Sequence, residues 1–209
     1  YNPAARRRRM KPIKRAARRI RGAAMASWAC LFLCGACGPP AARRIRPSSP
    51  YLAQHASFLD DNIDLIRDPE GLGGRWASEW ATDLRGRIGY ADLIARVRVE
   101  SITVETDAEQ RRRMHINAHV MERHRGRVPT DRKVTLLVAE GTESWQAVSE
   151  HEDELLSGRF IAFIKWFTDG QGEIRNHWHL SPSSQALAQT IRTAIEDLAA
   201  DSARSTSRP

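Results

Sequence analysis

The sequence predicts an α+β fold, on three observations. Apolar residues recur at helical spacing between residues 51 and 88 and again after residue 186. Between residues 91 and 180 the period falls to two. The two patterns also occupy separate blocks, which suits an antiparallel sheet with helices beside it better than a chain of βαβ units.

The first helix is expected over Tyr51 to Ile66, with Leu52, Leu59, Ile63 and Ile66 near one face. Asp68-Pro69-Glu70-Gly71 ends it, and Gly73-Gly74 gives a second break. In the second helix Leu72, Trp76, Trp80, Leu84 and Ile88 recur every four residues, a stripe that reads as core rather than as a ligand platform. Leu93, Ala95, Val97 and Val99 then alternate, and Ile102 and Val104 fall on the opposite parity, which predicts a bulge near Glu100–Ser101. Met114 to Val120 alternates with His115, Asn117 and His119, and Val134 to Val138 is a short β-branched and Leu-rich run. Glu143 to Leu156 is acidic and reads as a short helix or a long loop. Phe160 to Phe167 is apolar on both parities, as in a strand covered on both faces. Ile174 to Leu180 alternates beyond a hairpin turn at Asp169-Gly170-Gln171-Gly172. Ser181-Pro182 reads as cap and first position of a last helix, with Leu187, Ile191, Ala194, Ile195 and Leu198 as its stripe.

The expected order is thus two N-terminal helices, about five antiparallel strands and one C-terminal helix over residues 51–200, with residues 201–209 a polar, disordered tail. Five strands with an inserted helix resemble, in strand count, the netrin-like version of the oligonucleotide/oligosaccharide-binding barrel. Such a barrel would fix architecture and leave function open.

All three cysteines fall in Ser27 to Gly38, SWACLFLCGACG, spaced Cys-x3-Cys-x2-Cys. Radical SAM enzymes hold an iron–sulfur cluster on that spacing, but no long run of βα units follows. The apolar run Ala23 to Ala36 is also short of the ~20 residues that cross a bilayer. Lys11 to Arg21 instead reads as a cationic n-region, Ala23 to Leu33 as an apolar h-region, and Cys34-Gly35-Ala36 as small residues before Cys37. From Met10 to Cys37 this segment resembles a bacterial lipoprotein signal peptide. The resemblance departs at Cys34, where the lipobox usually has Leu. It implies cleavage after Ala36 and lipidation of Cys37, with Gly38 next to the anchor leaning towards the outer membrane. The alternative is an ordinary secretory signal and a soluble periplasmic protein. Met10 reads as the natural start, which sets residues 1–9 aside. Gly38 to Pro50 is a Pro-, Arg- and Ser-rich tether.

A formal charge of +8 suggests nucleic-acid binding until the charge is located. Ten of the 33 Lys and Arg lie in residues 1–37, which hold no acid, so residues 38–209 carry 23 bases against 25 acids. A nucleic-acid binder needs its basic face on the folded domain, so none is expected as a partner.

His177-Trp178-His179 is the sharpest chemical pattern. Residues two apart on a strand share a face, so both imidazoles could reach one metal, with His115 or His119 supplying a third ligand. The competing reading makes all four solvent-facing polar residues. Glu150-His151-Glu152-Asp153-Glu154 lacks the spacing of a Ca²⁺ loop and reads as a solvated surface. Arg111 to Arg113 and Arg123, Arg125 and Arg127 flank the His115 strand. They read as a charged hairpin edge that discourages strand aggregation, or as a basic rim for an anionic head group, polysaccharide or acidic partner. No phosphate loop or nucleophile elbow is present, and Ser181 reads as a helix cap. The expectation is an exported, lipid-anchored envelope protein that binds or supports other envelope components, with no catalytic residues and no cofactor. A His177/His179 metal protein is the alternative.

Overall fold

The computed structural model describes residues 50–206, with Ile45 and Pro47 before them. The signal segment, Cys37 and most of the tether lie outside the described residues. A 3₁₀ turn at Ala53–His55 is followed by the two-residue strand β1, Asn62–Ile63, and a second 3₁₀ turn at Pro69–Gly71. Helix α1, Gly74–Tyr90, leads into the strands β2, Leu93–Thr106, β3, Arg112–Gly126, and β4, Lys133–Ala139. Two short helices follow, α2, Glu143–Glu150, and α3, Glu152–Ser157. The hairpin of β5, Phe160–Thr168, and β6, Ile174–Pro182, precedes α4, Gln185–Thr206.

The six strands form one curled sheet in the order β1-β6-β5-β2-β3-β4. Every pair is antiparallel except β1 with β6. Strand β2 makes the curl. Its first five residues pair with both β3 and β5, and the rest with β3 alone. A 14-residue strand can turn from one neighbour to another only by bending, and register shifts at Ile94/Ala95, Arg96/Val97 and Val99/Ser101 supply the bend. The last of these is the bulge that the parity change predicts. Curling brings the edges of β4 and β6 close, but side chains rather than a backbone ladder join them. Asn176 Nδ2 donates to the Thr135 carbonyl at 3.0 Å, and Trp178 Nε1 to the Leu137 carbonyl at 3.1 Å.

Each face of the sheet has its own core. Inside the curl, Val97, Ile116, Leu136, Trp178 and Leu180 pack with Val148 of α2 and Leu155 of α3. On the outer face, Ile94, Ile161 and Phe163 meet Leu84 and Ile88 of α1 and Leu187 and Ile191 of α4. Strand β5 serves both, and Phe160 through Trp166 are all buried, as the two-sided apolar run requires.

Four expectations are corrected. Residues 51–66 form no α-helix. Asp60, Asp61 and Asn62 bond more readily to nearby backbone than they extend a helix, and Asp61 adopts the left-handed conformation, φ 55°. The segment is an extended strap that adds a sixth strand, β1, to the expected five. Trp76 is 66% exposed, so the aromatic stripe of α1 enters the core only at Leu84 and Ile88, with Trp80 packed at its edge. Ser181 and Pro182 belong to β6, and Ser184 caps α4 by accepting from the Leu187 amide at 3.0 Å. Helix α4 also continues to Thr206, into the stretch expected to be disordered.

Candidate functional site

The alternation of β6 sends Trp178 and Leu180 into the inner core and turns His177, His179 and Ser181 to the outer face. There the strap crosses them. The Asp61 amide donates to the Trp178 carbonyl and its carboxylate Oδ1 accepts from the Trp178 amide, both at 2.9 Å, so one side chain stands in for a missing strand partner. The left-handed backbone of Asp61 is what turns both groups towards β6. Its Oδ2 faces His177 Nδ1 at 2.7 Å. His179 lies between two carboxylates, with Nδ1 at 2.8 Å from Asp60 and Nε2 at 3.1 Å from Asp64. Ser181 Oγ donates to the same Asp64 oxygen at 2.7 Å. Arg87 of α1 reaches over, donating to Asp64 through Nη1 at 3.4 Å and to the Phe58 carbonyl through Nε at 3.2 Å.

Rings pack around these charges. His177 packs against Tyr51, 4.5 Å away centroid to centroid, and nearly parallel to Phe167 at 4.7 Å, and those two rings also touch each other at 5.1 Å. Phe58 lies so close to α1 that a Cβ on Gly86 would meet its ring at 2.4 Å, which explains the glycine there. Beside the network, Lys165 Nζ and Asp92 Oδ1 form a buried ion pair at 2.9 Å.

Burial pushes the Asp64 carboxyl up, but the hydrogen bond and charge of His179, the Ser181 hydroxyl and the Arg87 charge outweigh it. Asp64 therefore stays below the ordinary carboxylate value, and Asp60 does so by the same balance with His179 and Arg87. Burial lowers His55, and the Lys165 charge adds to the effect, against Asp92. Tyr51 is raised, first by burial and then by the Asp61 charge.

Chemically, this arrangement closes on itself. A metal-binding imidazole must present a bare nitrogen; both nitrogens of His179 face carboxylates, whereas Asp61 holds His177 through Nδ1 alone, so the two imidazoles cannot share one ion. His115 lies on β3, with Nε2 facing Glu105 at 3.3 Å. Among the described residues, no three His, Cys, Asp or Glu side chains are placed to hold one metal ion. Ser181 bonds to Asp64 rather than to a histidine, and at 1% and 2% exposed neither Ser181 nor His179 can meet a substrate. The strap's acids and Arg87 were not among the sequence's candidate residues. The signal was three aspartates in five positions, Asp60, Asp61 and Asp64, on a segment otherwise read as an amphipathic helix.

The arginine clusters separate. Arg111, Arg112 and Arg113 sit at the β2–β3 turn and pair with Asp107, Glu109 and Glu140. Arg123, Arg125 and Arg127 lie at the opposite end of β3, where Arg125 donates to the Ile88 carbonyl. The acidic run 150–154 spans the junction of α2 and α3, and Glu154 pairs with Arg67 and His151. Among the described residues no helix is long and apolar enough to cross a membrane. No known protein family, curated protein or solved structure matches the chain.

Proposed function

We propose that this chain is an exported bacterial envelope protein, anchored through a lipid on Cys37, whose folded unit binds or supports other envelope components and catalyses nothing. One observation carries the non-catalytic half: His179 and Ser181 are buried and held by Asp60 and Asp64 of the same chain, so His177 has no nucleophile or second free imidazole beside it. The anchored half rests on the order of cationic stretch, apolar stretch and small residues ahead of Cys37. The strand order β6-β5-β2-β3-β4, with a long bent β2 and helices between β4 and β5, resembles an oligonucleotide/oligosaccharide-binding barrel left open between β4 and β6.

The test is radioactive palmitate labelling in a Gram-negative host. The wild type should label and stay with the outer membrane fraction, and Cys37→Ala should neither label nor sediment with it. Label that persists in Cys37→Ala would refute the anchor, and an unlabelled wild type released by osmotic shock would make the protein soluble and periplasmic.

A further inference from the structure

At the end of β3 the chain turns through residues 127–132 into β4, and this turn closes one side of an open cavity of about 600 Å³. Met121, Val128 and Gly126 form its floor, and Arg123, Arg127 and Arg132 stand around it. Two backbone features fix its shape. Gly126 has φ 86° and passes so close to β2 that a Cβ would lie 1.8 Å from the Asp92 carbonyl oxygen. Arg132 is left-handed at φ 58°, a conformation that costs an Arg of order 1 kcal/mol or more unless its surroundings hold it there. They do: its Nε donates to the Val120 carbonyl at 2.9 Å and its Nη2 to the Met121 carbonyl at 2.8 Å. That leaves Nη1 of a fixed guanidinium at the cavity wall.

The charges around this cavity are unlike those elsewhere on the sheet. Arg96, Arg98, Arg111, Arg112, Arg113 and Arg175 each face a carboxylate. Among the described residues, the side chains of Arg123 and Arg127 form no ion pair and no hydrogen bond. Glu122 is the one acid in the lining, and its carboxylate lies 2.8 Å from Arg96. Asp131, next in the turn, accepts from the Lys133 amide at 3.1 Å. The cavity lining therefore has three guanidiniums and one carboxylate, which Arg96 already holds.

We infer that this cavity is a binding site for a phosphate group, held by Arg123 and Arg127 against the fixed guanidinium of Arg132. Guanidinium forks suit the paired oxygens of an oxyanion, and two or three around one opening can neutralise a doubly charged group. The ligand is compact rather than a long polyanion, because Arg111, Arg112 and Arg113 at the other end of the hairpin are paired with their own acids and Arg125 is turned to the Ile88 carbonyl. The phosphate could be inorganic or the head group of an anionic lipid. The site itself does not depend on the Cys37 anchor.

The test is calorimetric titration of the full-length chain carrying Cys37→Ala, with inorganic phosphate and, separately, with the deacylated head group of phosphatidylglycerol. One of the two should saturate at one equivalent, and the tighter one identifies the source. Arg123→Ala/Arg127→Ala should weaken binding at least tenfold, whereas Arg111→Ala/Arg112→Ala, which removes the same charge from the paired end, should leave it within twofold. Because the leader is common to all variants, its basic residues cancel from the comparison. The inference is overturned if neither ligand saturates, if the Arg123/Arg127 variant binds like the parent, or if both double variants weaken binding equally.

Discussion

Two regions of this molecule gather charge, with opposite outcomes. Under the strap, Asp60, Asp61 and Asp64 meet His177, His179 and Arg87 from two other elements, and each has a partner of opposite or polar character. Around the 127–132 turn, the side chains of Arg123 and Arg127 have no partner among the described residues, and the one acid in the cavity lining belongs to Arg96. The first region joins strap, strand and helix, and removing any member strands the others. In the second only Arg132 ties elements together, so the charges of Arg123 and Arg127 are free for something outside the chain.

This contrast ranks the expected effects of mutation. Arg87 is 7% exposed, and Arg87→Ala leaves Asp64 buried without its cation, so urea unfolding should show a loss of about 3–5 kcal/mol. His179→Ala removes the link between Asp60 and Asp64, with an expected loss of roughly 2–3 kcal/mol by the same measurement. Asp61→Ala deprives the half-exposed His177 and the Trp178 amide of one acceptor each, and should cost about 1–2 kcal/mol. At the other region, Arg127→Ala should change stability by no more than about 0.5 kcal/mol, as should Arg112→Ala at the paired hairpin end. A loss of several kcal/mol at Arg127 would mean that the cavity, too, is structural.

Acid offers a further way to separate the regions. Asp60 and Asp64 sit below the ordinary value of about 4, so their contribution is fully present above that pH and is lost as pH falls through the lowered native values. Amide hydrogen exchange at Asp61 and Asp64, whose N–H groups bond to β6, should therefore accelerate in acid before exchange in β2 and β5 does. If all strands lose protection together, the strap is no separate unit.

The strands were legible because each buries a regular face. Alternation marks β2, β3 and β6, the two-sided run marks β5, and the parity change at Glu100–Ser101 marks a bulge that the register contains. The strap was not legible. Its Leu59 is fully buried and its apolar spacing is near helical, yet Asp61 and Asp64 find partners on β6, 116 and 115 residues away along the chain. No local pattern records such partners. Ser181 misled for the same reason: Ser-Pro before a helical stripe suits a cap, but Asp64 holds the hydroxyl and Ser184 takes the cap. The histidines were found as a pattern, and their acids were not.

The parallel pairing of β1 with β6 also bears on the order in which this chain folds. The strap precedes every other strand, yet its partner is the last strand of the sheet, so its docking closes the longest loop in the fold. A chain made from its N-terminus exposes Asp60, Asp61 and Asp64 until more than a hundred residues later, when His177 and His179 arrive. The β2–β3 hairpin needs no such wait, since its strands are adjacent in sequence. The first strand to be synthesised is thus the last that can pair.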